Sequence, residues 1–122
     1  MNLYGSQMAA RAAGVTYRQL DYWCRQGYLP ASTVEASGSG TRRRFTRQQV
    51  WQIATCGALM ASTPALGQPA EAMRMAAIAA IDLAADPDAG SVEVETCYAV
   101  RVHIDLDMIR ARVDRHLMAN VA

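Results

Sequence analysis

Arginine and tyrosine side chains gather in two short stretches of the sequence. In the first, a spacing of three and four residues places the side chains on one face of a helix: Tyr17, Arg18, Asp21, Tyr22 and Arg25. The second is the run Arg42, Arg43 and Arg44, which follows a Gly-Ser-Gly segment. Guanidinium groups bind phosphates and guanine edges, and tyrosine hydroxyls bind phosphates. The two stretches therefore predict a nucleic-acid-binding surface.

The distribution of charge supports this prediction. Residues 1–56 hold seven arginines against two acidic residues, a charge of +5, whereas residues 57–122 hold five arginines against nine acidic residues, a charge of −4. The net charge of +1 conceals this difference. We expect the N-terminal half to meet a polyanion and the C-terminal half to stay clear of it.

The remaining polar residues show no pattern typical of catalysis or metal binding. No nucleophile lies at a recognisable spacing from a general base, and the sequence has no glycine-rich phosphate loop. Cys24, Cys56 and Cys97 lack the Cys-x-x-Cys spacing of metal sites. Cys24 and Cys56 fall on apolar helix faces, where cysteine acts as a small hydrophobic residue. We therefore expect no enzymatic activity, no metal and no cofactor.

Length and composition indicate a soluble chain with one modest core. The sequence has 122 residues, of which 52% are hydrophobic and 19% charged. No apolar run approaches the ~18 residues of a membrane span, and the first residues lack an export pattern. The odd number of cysteines suits a reducing compartment. The expected location is the cytoplasm.

Two helices and a turn must position the first stretch. Ser6 is a candidate cap for a helix that ends near Ala13, and Thr16 is a candidate cap for a second helix over about Tyr17–Gln26. Gly27 is a natural stop for the second helix. Its buried stripe comprises Leu20, Trp23 and Cys24. A short helix, a glycine turn and a second helix with a polar face are typical of a helix-turn-helix, whose second helix enters the DNA major groove.

The arginine run is predicted to lie in a β-hairpin wing. Residues 31–45 contain the hairpin, with its tip near Ser37–Gly40 and its return strand over Arg42–Phe45. Phe45 would anchor the return strand in the core. The alternative is a disordered basic loop.

Beyond the wing, the sequence predicts three helices and a second hairpin. The third helix begins at Thr46, with a glutamine at the capping-box position, and residues 62–69 form a connector that holds two prolines. A fourth helix covers about residues 70–85. Strict alternation of apolar and polar residues then predicts a β-hairpin that reaches Leu106, and Asp107 caps the last helix. The apolar positions of the fourth and last helices are Met73, Ala77, Ile78, Ile81, Ile109, Val113 and Leu117.

The predicted fold class is mainly α with small β. A winged helix-turn-helix core occupies residues 1–62, and a helix-hairpin-helix tail over residues 63–122 packs on it. The tail is either a lid on the core or a self-association module that uses its exposed strand edges. We favour self-association into a homodimer, because one small module rarely gives enough specificity for DNA.

These motifs resemble a known family. The segments GVTYRQLDYWCRQGYLP and GSGTRRRFTRQQV are similar to the winged-helix DNA-binding domain of the mercury-resistance regulator (MerR) family, especially an actinobacterial branch with a TYRQLDYW helix and a GSG wing. The resemblance covers about residues 4–60. It implies that Thr16, Tyr17 and Arg18 lie at the groove-facing start of the recognition helix. It further implies that Tyr22 contacts the DNA backbone and that Arg43 is the arginine of the wing.

The sequence departs from the family in two places. Many members have an arginine where this chain has Asp21, which either pairs with Arg18 and Arg25 or accepts from a cytosine amino group. We prefer the pairing role. Members also dimerise through one long coiled-coil helix, and no heptad run of that length is present here.

The function predicted from the sequence is a sequence-specific DNA-binding transcriptional regulator of the MerR-like winged-helix type, with a phage or mobile element as a candidate source. The alternative is an excisionase-type architectural DNA-binding factor that acts with a recombinase. The expected partner is double-stranded DNA, and no small-molecule effector is evident. The predicted DNA-binding residues are Thr16, Tyr17, Arg18, Asp21, Tyr22, Arg25, Arg42, Arg43 and Arg44.

Overall fold

The computed structural model describes residues 2–29, 43–66, 78–95 and 101–119. In chain order the elements are β1 (Tyr4–Gly5), α1 (Ser6–Ala13), α2 (Tyr17–Gln26), β2 (Arg44–Phe45), α3 (Arg47–Leu66), α4 (residues 78–84), β3 (Ser91–Glu95), β4 (Arg101–Asp105) and α5 (Leu106–Ala119). The strands form two antiparallel pairs, β1 with β2 and β3 with β4. The predicted class, mainly α with small β, is confirmed.

Helices α1 and α2 form the predicted helix-turn-helix. Gly14 ends α1 and Gly27 ends α2, and each adopts the left-handed conformation with φ of 75°, which glycine adopts without strain. Thr16 caps α2 through a complete capping box with Gln19. The prediction that Ser6 caps α1 is wrong. Gly5 is the N-cap, Ser6 is already helical, and no side chain caps this end.

Strand β2 pairs with the N-terminal strand. Tyr4 lies opposite Phe45 and Gly5 opposite Arg44. The predicted return strand over Arg42–Phe45 is thus found at its last two residues, and Phe45 is 2% exposed, as expected of a core anchor. The predicted hairpin partner and the alternative basic loop lie in residues 30–42, outside the described residues.

Helix α3 is longer than predicted. Thr46 and Gln49 form the expected capping box at its start. The helix then continues through Pro64 to Leu66, so the prediction of a connector is wrong for residues 62–66. Pro64 cannot donate to the Met60 carbonyl, but it lies only two residues before the end of the helix at Leu66, so the lost hydrogen bond falls in the last turn.

The tail forms the predicted hairpin and last helix. Val92 lies opposite Ile104 and Val94 opposite Val102. Leu106, predicted on the strand, is instead the first residue of α5, where it is fully buried. Helix α5 is capped by Asp105, whose Oδ1 accepts from the Met108 N–H at 2.9 Å, and not by Asp107. Of the predicted stripe on the fourth helix, Ile81 is buried, Ile78 is 49% exposed, and Met73 and Ala77 lie outside the described residues.

One hydrophobic core joins the tail to the helix-turn-helix. Val113 and Leu117 of α5 pack in the same buried cluster as Leu20 of α2 and Phe45 of β2, and α5 contacts both α1 and α3. Ile109 packs at the margin of this cluster. Helix α5 is therefore a structural part of the fold that presents α2. Among the described helices, none is both long and apolar enough to cross a membrane.

Candidate nucleic-acid interface

The outer face of α2 presents the predicted residues to solvent. Leu20 and Trp23 anchor the inner face at 1% and 7% exposure. Helical spacing then turns four side chains outward: Tyr17, Arg18, Tyr22 and Arg25 are all exposed. Large aromatic and cationic groups on an exposed helix face suit the major groove, where they meet base edges and phosphates.

Two tyrosine rings stiffen this face. The ring of Tyr22 meets that of Tyr28 edge to face, with ring centroids 6.0 Å apart and an interplanar angle of 84°. Tyr28 follows Gly27 and packs against the core. Tyr22 is 45% exposed, so its ring is supported on one side and accessible on the other.

Asp21 forms ion pairs with two arginines from different parts of the chain. Its Oδ1 accepts from Arg43 Nη1 at 2.6 Å, and its Oδ2 lies 2.6 Å from Arg25 Nη2. The hydrogen bond from Arg43, with the charge of Arg25, holds the pKa of Asp21 below its usual value. The predicted pair with Arg25 is confirmed. The other oxygen is taken by Arg43 and not, as predicted, by Arg18, which is exposed and has no ion-pair partner among the described residues.

The arginines of the predicted wing differ in accessibility. Arg44, on β2, is exposed, whereas the side chain of Arg43 is only 14% exposed and faces Asp21. Arg42 lies outside the described residues. Thr16 is exposed, but its hydroxyl already accepts the capping hydrogen bond from the Gln19 N–H. The structure thus brings Arg43 to the recognition helix as a partner of Asp21, and contact of either residue with DNA stays a prediction.

Sequence reasoning missed a polar cluster that ties the last helix to α3. Asp114 accepts from Arg47 Nε at 2.9 Å and Nη2 at 2.5 Å, and from Trp51 Nε1 at 2.8 Å. The Arg47 guanidinium lies 4.8 Å from the centroid of the Trp51 ring. Although burial raises the pKa of Asp114, hydrogen bonds from Arg47 and Trp51 bring it below its usual value. Asp114 thereby links α5 to the helix that directly follows β2.

Arg110 is the buried charge of this region. It is 5% exposed, and its guanidinium donates to the carbonyls of Ala84, Asp86 and Ala89 and to Asp107 Oδ1. Its position between Leu106, Val113 and Leu117 on the apolar face of α5 was the one signal in the sequence that could have found it. Arg110 thus provides hydrogen-bond donors for backbone carbonyls at the end of α4 and in the turn that leads to β3.

The cysteines show no arrangement for metal binding in the described part of the chain. Cys56 is fully buried, and burial, with a smaller effect of Cys24, raises the pKa of its thiol to about 12. Cys24 is half-buried. Among the described residues, no three metal-ligating side chains gather in one place. Cys97 lies outside those residues.

The fold and this exposed face define a class of protein. Two capped helices joined by a left-handed glycine, the second of them with an arginine and tyrosine surface, constitute a helix-turn-helix of the kind that binds DNA. Residues 4–63 match the family described as MerR HTH family regulatory protein, and this segment is a domain of that family. The resemblance noted in the sequence is thereby confirmed.

Curated relatives share the same region. An uncharacterized HTH-type transcriptional regulator of Mycobacterium bovis and two of the same description from strains of Mycobacterium tuberculosis are each 40% identical to the chain over 47 residues. The matched segment covers 38% of this chain and 21% of each relative. The chain is thus similar to about a fifth of the length of these proteins.

Proposed function

We propose that the protein is a sequence-specific, DNA-binding transcriptional regulator that inserts α2 into the major groove. The observation that carries the proposal is the outer face of α2, where Tyr17, Arg18, Tyr22 and Arg25 are exposed within a MerR-family helix-turn-helix domain. The curated relatives that match this domain are named as transcriptional regulators. A location in the cytoplasm follows from this function.

The exposed arginines differ in the role we propose for them. Arg18 lies in the first turn of α2, where recognition helices contact bases, and no carboxylate among the described residues holds its guanidinium. It is proposed to bind a guanine edge. Arg44 and the Tyr22 hydroxyl are proposed to bind phosphates, which position the helix without reading sequence. Arg42 is proposed to act with them.

We further propose that the protein acts as a homodimer. A two-fold pair would place two copies of α2 on one duplex, with half-sites about one helical turn apart. The hairpin offers a surface for this, because among the described residues β3 and β4 pair only with each other and no strand pairs with the outer edge of either. Two methionines of α5, Met108 and Met118, add exposed apolar area at 59% and 74% exposure.

Selection of bound sites from random duplex DNA tests the function directly. The expected result is a defined motif with two-fold symmetry. Fluorescence anisotropy on that motif should give a log–log salt slope of about −3 per protomer, which corresponds to one phosphate neutralised by each of Arg25, Arg42 and Arg44. No enrichment of any motif, together with a slope near zero, would exclude DNA binding. An unsymmetrical motif bound by a protein that light scattering shows to be monomeric would exclude the dimer.

Two arginine variants test the proposed roles. Arg18→Ala should weaken binding to the selected motif by about 1–3 kcal/mol and relax the preference at one base position. Arg115→Ala is the matched control, because it removes an equal charge from an exposed position of α5, in the acidic half of the chain and outside the β3–β4 hairpin. The control should bind the motif as the parent protein does. Equal losses for the two variants would contradict a base-reading role for Arg18.

A further inference from the structure

The ion pairs of Asp21 place a carboxylate within the predicted DNA-binding face. Each of its two oxygens is engaged by a different guanidinium at 2.6 Å, one from α2 itself and one from the residue that precedes β2. A carboxylate and a DNA phosphate offer the same geometry to a guanidinium group. Asp21 therefore competes with DNA for two of the arginines that surround it.

The two arginines are not equally able to leave Asp21. The Arg25 side chain is 68% exposed and lies one helical turn from Asp21, and exposed ion pairs of this kind are weak. The Arg43 side chain is 14% exposed, and Phe45, two residues later, is fixed in the core. Arg25 can exchange the carboxylate for a phosphate, whereas Arg43 is held in place.

We propose that Asp21 is an internal counter-ion that sets DNA selectivity, and that Arg43 is a positioning residue which fixes β2 against the recognition helix. The proposal rests on the DNA-binding function argued above. With Asp21 in place, Arg25 engages a phosphate only when the gain exceeds the loss of its ion pair. Docking on the correct motif satisfies this condition, and loose contact with other DNA does not. Asp21 thus lowers affinity for unspecific DNA more than affinity for the target.

The sharpest test compares the wild-type protein with Asp21→Asn, which keeps the shape and removes the charge. Binding is measured by anisotropy on the selected motif and on a scrambled duplex, over a range of salt. On the scrambled duplex we expect the variant to have a salt slope steeper by about 0.9, equivalent to one more phosphate, and an affinity about five- to tenfold higher near 0.1 M salt. The ratio of motif affinity to scrambled affinity should fall. An unchanged slope and an unchanged ratio would overturn the proposal.

A second comparison separates the release of Arg25 from the simple removal of a negative charge near DNA. Arg25→Ala and the double variant Asp21→Asn with Arg25→Ala complete a double-mutant cycle. If Asp21 acts as the counter-ion of Arg25, the substitution of Asp21 should steepen the slope only while Arg25 is present. An equal gain in the Arg25→Ala background would mean that Asp21 acts by general repulsion, and would overturn the counter-ion role.

Arg43→Met tests the positioning role, because methionine keeps an apolar stem and removes the charge. The expected result is a lower ratio of motif affinity to scrambled affinity with an unchanged salt slope. A slope shallower by about 0.9 with an unchanged ratio would show that Arg43 neutralises a phosphate instead.

Thermal melts by circular dichroism check that each variant is folded. If Arg43→Met does not fold, the double-mutant cycle of Asp21 and Arg25 still tests the counter-ion role. A wild-type protein that binds neither duplex would refute the proposed function; a wild-type protein that binds, with no change in Asp21→Asn, refutes this inference alone.

Discussion

The indole N–H of Trp51 donates to Asp114 Oδ1 at 2.8 Å, across 63 residues of sequence. The same carboxylate takes two hydrogen bonds from Arg47, the first residue of α3. Hydrogen bonds therefore link the last helix, α5, to the start of α3, the helix that follows strand β2. Helix α5 thus helps to hold the structure that presents α2 to solvent.

This relationship predicts that Asp114→Ala will destabilise the fold. The substitution leaves the N–H of the buried Trp51 and the guanidinium of Arg47 without their acceptor. Loss of hydrogen bonds to a charged group should lower the free energy of unfolding by about 2 kcal/mol. Arg115→Ala, at an exposed neighbouring position, is the control and should change it by less than about 0.5 kcal/mol. Urea unfolding followed by circular dichroism measures both. Equal stability of the two variants would mean that the cluster contributes nothing to the fold.

The two paired aspartates predict a decrease in stability in acid. The pKa values of Asp21 and Asp114 in the folded chain lie below the usual 3.8, so their ion pairs contribute fully above that pH. The contribution is lost as the pH falls through the lowered pKa values, because the folded state must then take up protons against the ion pairs. Urea midpoints at pH 5, 4 and 3 should fall steeply below pH 4. Asp114→Asn should flatten this decrease, because it removes one of the two carboxyl groups whose pKa is lowered in the folded chain.

A close helix contact predicts that Gly57→Ala will be destabilising. In a helix this change normally stabilises by about 0.5–1 kcal/mol. Here an added Cβ at Gly57 would lie 2.5 Å from Cγ1 of Val15, a stiff β-branched side chain just before the cap of α2. We expect a net loss of about 1–3 kcal/mol.

A compensating variant checks that the cause is this contact. Val15→Ala removes the methyl group that the new Cβ would meet, so the double variant with Gly57→Ala should be more stable than the sum of the two single changes predicts. Thermal or urea unfolding of the four proteins gives the interaction energy. A more stable Gly57→Ala single variant would show that α3 and the start of α2 are not closely packed.

The burial of Cys56 predicts that it will resist alkylation in the folded protein. Burial raises the pKa of its thiol to about 12, and the thiolate is the reactive form. Cys24, which is half-buried, is the internal comparison. Iodoacetamide at pH 8, followed by peptide mass spectrometry, should modify Cys24 first and Cys56 only after urea is added. Rapid labelling of Cys56 in the native protein would contradict its place in the core.

Local patterns predicted most of the elements. Capping signals at Thr16 and Thr46 identified the starts of α2 and α3, because a cap depends only on residues within one turn. Strict alternation identified the β3–β4 pair, since the side-chain period of a strand is two. Where two local signals competed, the result was less reliable: Asp105 and Asp107 both lie near the start of the last helix, and only the structure shows that Asp105 caps it and that Asp107 is already helical.

Contacts between distant residues could not be predicted in the same way. The exposed face of α2 followed from helical spacing, but the choice of Arg43 over Arg18 as the partner of Asp21 depends on how β2 meets α2, 22 residues further along the chain. The Arg47–Asp114 pair spans 67 residues, and no periodicity within one helix indicates it. Helical spacing placed Val113 and Leu117 on a buried face, yet did not show that this face packs against α1 and α3.

Arg110 also affects the order in which parts of the protein can fold during synthesis. The carbonyls of Ala84, Asp86 and Ala89 receive their donors from a residue that follows them by 26, 24 and 21 positions. During synthesis the segment that holds these carbonyls leaves the ribosome before α5 does. Until α5 has been synthesised, the carbonyls can accept hydrogen bonds only from water or other groups, and not from Arg110. The helix-turn-helix is in the same position, since Val113 and Leu117 complete its core. The core beneath the proposed DNA-binding surface is therefore completed only after Leu117 has been synthesised, and a partial chain that ends before residue 110 lacks this part of the core.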